Sequence, residues 1–166
     1  MQHHEPHHNR LSQFLHTLPL WVRAVLQCLL ATASLAAVLL LLNRDYTVVV
    51  ASLGATAFII FATPRGIAAK VHNVLGGHMI GLASGAVWWL LPHATPIAEE
   101  IVYSGAVGTA MLVMVLGRVR HPPAAGTALG AALAGVSVGA AVTILAAIGV
   151  MLLVERVLRP YLVDLV

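Results

Sequence analysis

Between Arg118 and Leu133 the chain reads RVRHPPAAGTALGAAL, two arginines, a histidine and two prolines ahead of a run of alanine and glycine. Proline has no backbone donor and suits the first turn of a helix, so Pro122 and Pro123 predict a helix start. His121, held ahead of proline, marks the boundary. The amides near Ala124 to Gly126 would then point out of a positive helix end with only small side chains around them, where an anion can approach the backbone. Arg118 and Arg120 would add charge there, His121 a donor that titrates near physiological pH, and Thr127 a hydroxyl.

A second segment carries a related pattern. Shifting the chain by 49 positions lays His72, Gly77 and Gly81 on His121, Gly126 and Gly130, H-x-x-x-x-G-x-x-x-G in both places. Upstream, SLGATAFIIFATP (Ser52 to Pro64) resembles AVGTAMLVMVLGR (Ala106 to Arg118), so a unit of helix, basic loop and glycine helix is predicted twice. In the first unit Asn73 can cap the glycine helix, with Arg65, Lys70, His72 and His78 as polar company. His78 stands apart because it lies inside the glycine helix, where ionisable groups are costly and usually face a cavity or a partner. Two positive helix ends facing each other across a pseudo-axis would form an anion mouth. Ser52, Thr56, Thr109 and Thr127 could line it with hydroxyls, or could bond their own helix carbonyls. The basic residues also read as topology markers, and the four-residue glycine spacing as a close-packing face.

The elements that must position these groups follow from composition. With 166 residues, 60% hydrophobic, 9% charged and a mean hydropathy of +0.92, the chain has too little polar surface for a water-soluble globule and belongs in a bilayer. Apolar runs lie at Val22 to Leu42, Thr47 to Thr63, Asn73 to Leu91, Val102 to Gly117 and Ala124 to Val154. Backbone in lipid must pair internally, and no alternating barrel pattern appears, so the fold is all-α with about five crossings. Five crossings place Arg10, Arg23, Arg65, Lys70, Arg118 and Arg120 on one side against Arg44, Arg156 and Arg159, which puts the amino terminus in the cytoplasm. If the final tract doubled back, the balance would be eight against one. The domain plan is a His-rich tail over 1–20, a transmembrane domain over 21–155 and a short tail over 156–166.

Several function classes drop out. Cys28 is the only cysteine and lies within the first span, so neither a disulfide nor a thiolate site is expected. His3, His4, His7 and His8 read as a polar terminal tail, and no metal is assigned. Glu99 and Glu100 follow Pro92 and Pro96 in a connecting loop, and no nucleophile elbow, H-E-x-x-H or phosphate loop appears, so no enzyme, cofactor or nucleic-acid partner is expected.

With His121, Pro122 and Pro123 spelling His-Pro-Pro, and Asn73, Gly76, Gly77 and His78 standing in HNVLGGHMIGLASG, the chain resembles the HPP family of integral membrane proteins over about Arg23 to Val154. That resemblance implies a small helical bundle of about four spans. It also implies a transporter or channel for a small anion, with nitrite the first candidate because some members are implicated in nitrite transport. Some relatives carry a cytoplasmic CBS domain, for which a chain ending at Val166 has no room, so nucleotide regulation is not expected. The competing readings are a divalent-metal transporter using His72, His78 and His121, and a membrane scaffold. Few short helices enclose a path poorly, so a homo-oligomer packed through the glycine faces in a bacterial inner membrane is expected.

Overall fold

Lipid offers no hydrogen bonds, so each apolar run closes its backbone bonds within itself, and the described residues form helices and no strand. The structure, a computed structural model, describes Phe14, residues 17–40 and residues 47–166. Among the described residues six α-helices of 12 to 21 residues follow in order: α1 Leu20–Leu39, α2 Thr47–Ala62, α3 Val71–Trp89, α4 Pro96–Leu116, α5 Pro123–Ala134 and α6 Val138–Leu158. Short 3-10 turns lie at Ile67–Ala69 and Arg159–Tyr161. Segments Leu20–Ala37, Pro96–Leu116 and Val138–Tyr161 are long and apolar enough to cross a membrane, and Ala51–Ala62 and Pro123–Ala134 are shorter apolar helices. This is an all-α membrane bundle.

The final apolar tract departs from the five-crossing expectation. Gly135 adopts φ 69°, a left-handed value that glycine takes without a Cβ clash, and Ser137 caps α6 by accepting from Ala140 N at 3.1 Å. The chain therefore reverses. Gly135 lies against Trp89 at the end of α3, while the segment after α6 returns to the opposite end, where Leu165 N donates to Ala62 O at 2.8 Å. Gln27, buried in α1, fastens that end by donating to Phe61 O at 2.6 Å and Val163 O at 2.8 Å and accepting from Val163 N at 3.1 Å. These six helices of the described residues thus alternate in direction.

One consequence concerns charge. Arg23, Arg65, Lys70, Arg118, Arg120, Arg156 and Arg159, all the arginines and lysines among the described residues, lie at the same end of the bundle. Arg156 and Arg159 therefore join the basic side rather than opposing it. Arg10, Arg44 and the tail histidines His3, His4, His7 and His8 lie outside the described residues. Glu99 and Glu100 sit in the first turns of α4 at the other end, after a start capped by Thr95, which accepts from Ala98 N at 3.2 Å.

The centre of the bundle is α3 against α5, which run parallel. A Cβ built on Gly81 would fall on the Ala124 carbonyl oxygen, and one on Gly85 on the Ala128 carbonyl oxygen, so only glycine allows this approach. That glycine face is filled from within the chain, so assembly of subunits would use other faces. Around the pair, α2 packs on α5 and α4 packs on both α3 and α5. Ser84 Oγ donates to Ala106 O at 2.8 Å and Trp88 Nε1 to Thr109 Oγ1 at 2.9 Å, tying α3 to α4.

The start of α5 lies inside the bundle. Gly77, whose added Cβ would meet His121 Cβ at 2.8 Å and Ala124 Cβ at 3.1 Å, is the seventh residue of α3. At a rise of about 1.5 Å per residue, the His-Pro-Pro segment is about 9 Å below the basic end of α3. Twelve residues of α5 cover about 18 Å, well short of a ~30 Å hydrocarbon core. Irregular backbone at such depth is tolerated where protein buries it or where it lines a cavity. Both conditions are met here.

Candidate functional site

The loop that carries the motif begins with a strained residue. Gly117 ends α4, but Arg118 holds the left-handed position at φ 56°, closing the helix end through Arg118 N to Val115 O at 3.2 Å and Val119 N to Met114 O at 2.8 Å. Glycine is the usual residue there. An arginine in its place directs a long cation toward a cavity of about 750 Å³ lined by Arg118, Arg120, His121, Pro122, Met114 and Ala68, among others.

Behind that cavity lies a buried polar chain joining α2, α3 and α5. Ser52 Oγ donates to Pro123 O at 2.6 Å and contacts Thr127 Oγ1 at 2.8 Å; Thr127 Oγ1 meets His78 Nδ1 at 2.7 Å. On the other edge of that ring, Nε2 is 2.9 Å from Thr56 Oγ1 and 3.2 Å from His121 Nε2. His121 Nε2 also lies 3.2 Å from Thr56 Oγ1, and its Nδ1 donates to Ala68 O at 2.9 Å. Thr56, Thr127 and His78 have no solvent exposure and His121 is 1% exposed. The imidazoles are tilted at 56° with centroids 5.0 Å apart.

Proton positions follow from these partners. Ser52 must donate to the Pro123 carbonyl, so Thr127 donates to Ser52 and His78 Nδ1 donates to Thr127. The Ala68 carbonyl likewise takes the Nδ1 proton of His121. In both neutral rings the bare nitrogen is then Nε2, and the two bare nitrogens face each other. Burial holds the His121 imidazole below the ordinary histidine range, against the pull of the Ala68 carbonyl, which favours the protonated ring.

The structure brings His78, His121, Pro122, Pro123, Thr127, Arg118 and Arg120 together and separates others from them. His72 is exposed on the outer side of α3 and is not the counterpart of buried His121. Asn73 does not cap α3; its side chain donates to Ile67 O at 2.7 Å and accepts from Arg120 N at 3.0 Å, fixing the two basic loops to each other. Gly76 packs on Val119, Gly77 on His121 and Gly126 on Ser52, so these glycines set helix spacing rather than offering amides. Of the amides expected to form an anion mouth at paired helix ends, several already have partners. Ala124 N already bonds His121 O and Ala125 N bonds Pro122 O, both at 3.0 Å, while at α3 Asn73 N and Val74 N bond Lys70 O at 2.9 and 3.0 Å.

Two units of helix, basic loop and glycine helix are present with matching directions, and the first helix of each packs on the second helix of the other. Their side chains are not interchangeable. Of the four hydroxyls, Ser52, Thr56 and Thr127 enter the network, and Thr56 also donates to its own helix at Ser52 O, 3.0 Å away. Thr109 is taken by Trp88. Sequence reasoning missed the Ala68 carbonyl, which depends on the 3-10 turn, and the staple made by Gln27, whose signal was a lone amide in an apolar helix. Among the described residues no group of three His, Cys, Asp or Glu comes together to hold a metal.

An all-helical integral membrane bundle with a recessed His-Pro-Pro loop over a buried histidine pair defines the class. The family model described as HPP, transmembrane region, matches residues 14–159, and the chain belongs to the HPP family. No curated protein and no solved structure matches it.

Proposed function

We propose that this chain moves a small monovalent anion across the membrane, with nitrite the first candidate and nitrate-like anions the class. The observation that carries this reading is the cavity of about 750 Å³ at the basic end, in which Arg118 and Arg120 stand over His121 and Pro122. Two guanidiniums in one concave, partly apolar site attract a small anion and strip part of its water shell. The recessed loop carries the anion about 9 Å below the basic end of α3, where only short α5 separates it from the far end. Irregular backbone at that depth is characteristic of transport paths.

In this proposal the basic end, both described chain ends and the cavity mouth face the cytoplasm across a bacterial inner membrane, an orientation supported by the clustering of cations at that end. Several copies assemble through faces other than the α3 glycines. No step of this mechanism uses His72. Nitrate titrated into the purified protein at constant ionic strength should raise its thermal midpoint, because a ligand that binds only the folded state stabilises it. Arg118→Gln with Arg120→Gln should abolish that rise. A rise of equal size in the double variant refutes the site.

A further inference from the structure

The polar chain behind the cavity contains fewer protons than its contacts require. Six of its short contacts each need one: Ser52 to Pro123 O, Ser52 to Thr127, Thr127 to His78 Nδ1, His78 Nε2 to His121 Nε2, His121 Nδ1 to Ala68 O, and Thr56 to Ser52 O. Neutral groups supply five, one from each hydroxyl of Ser52, Thr56 and Thr127 and one from each ring. Because the carbonyls at Pro123 and Ala68 fix the direction of donation from both ends, the deficit falls between the rings. At 3.2 Å no water fits between the two nitrogens. Rotating the Thr56 hydroxyl toward one ring serves that nitrogen alone, and the line between the two Nε2 atoms still holds no proton.

We propose that His78 Nε2 and His121 Nε2 form one binding site for a single proton, held between the two rings and loaded through the basic-end cavity that His121 lines. One added proton completes all six contacts. A second would place two imidazoliums 3.2 Å apart with no counter-charge, so the pair takes up one only. The charged and titratable groups on the surrounding elements are Arg118 and Arg120 of the loop, Arg65 and Lys70 beside the 3-10 turn, His72 on the exposed side of α3, Glu99, Glu100 and Tyr103 of α4, Arg156 of α6, and Asp164 of the C-terminal segment, whose carboxylate accepts from Arg65 N at 3.0 Å. On α6, Glu155 faces Arg159 at 3.6 Å. None of these bonds either ring, so the protonated pair has no resident anion. A small anion in the cavity would supply one, and binding linkage then makes proton and anion favour each other equally. That last step rests on the transport reading above; the proton site itself rests on bond geometry.

The test is nitrogen-15 NMR of histidine-labelled protein in detergent, with proton uptake measured in parallel, first in an anion-poor buffer and then with nitrate. The Nε2 resonances of His78 and His121 should move together in one step, with one proton taken up by the pair. His78→Gln should remove the shared step and leave His121 to titrate alone. If that variant does not fold, the wild-type stoichiometry decides: two protons, or two separate steps, overturn the site. Zinc ions that shift both Nε2 signals and block proton uptake overturn it as well, since the deficit is then filled by metal. Nitrate should raise the midpoint of the shared step. A shared step that nitrate leaves in place keeps the proton site and removes the anion from it.

Discussion

At Arg118 a left-handed backbone holds a cation where glycine is at ease, and such local strain commonly persists because the side chain has a task. Arg118→Gly should therefore stabilise the fold by about 1 kcal/mol while weakening anion capture. Thermal unfolding with and without nitrate reads both effects; a loss of stability would mean that contacts of the side chain outweigh the strain. His121 gives a pH prediction with a fixed sign. Its folded-state affinity for protons is held below that of the unfolded chain, so the unfolded state binds more protons once pH falls below about 6.5, and stability falls with it. Melting curves from pH 7.5 down to 5 in an anion-poor buffer should show this decline, shallower in His121→Gln; stability rising over that window contradicts the assignment. Sequence reasoning reached these residues as separate candidates. That His78 and His121 touch across 43 positions is a tertiary fact, set by the parallel approach of α3 and α5, and no local pattern encodes it.

Among the elements, α3 and α5 carry the site and glycine sets their distance. Gly81→Ala should cost about 1–3 kcal/mol because its methyl meets the Ala124 backbone, which cannot move aside cheaply. Gly149→Ala, whose Cβ would find nothing within 4 Å, should be neutral or stabilising by up to about 1 kcal/mol through helix propensity. Equal effects at both positions, measured by thermal or denaturant unfolding in detergent, would remove the close-packing account. Gly77→Leu and Gly126→Leu should also disrupt packing, through His121 and Ser52. The start of α5 was legible because Pro122 and Pro123 are unambiguous chemistry. Its end was not. From Ala124 to Val154 every residue is apolar or small, and Gly135-Val136-Ser137 looks like more helix-packing spacing until the positive φ reveals a reversal.

For the whole molecule, the reversal changes the topology from five crossings to six helices with both described ends on one side. In a Cys28→Ser background, Gly66→Cys and Val166→Cys should be labelled from the same side of the membrane and Glu99→Cys from the other. Labelling of 166 together with 99 restores five crossings. The membrane class and the helical content are plain from hydropathy, whereas the charge balance stays open between six against three and eight against one because Arg156 and Arg159 follow a turn that the apolar tract conceals. Anion transport through the basic-end cavity is the central claim, and flux tests it most directly. Proteoliposomes holding the full chain should carry nitrite or nitrate down a gradient faster than empty vesicles, and Arg118→Gln with Arg120→Gln, folded and inserted normally, should slow that flux at least tenfold. Flux equal to that of empty vesicles for nitrite, nitrate, chloride and formate alike, or full flux in the double variant, would contradict the account.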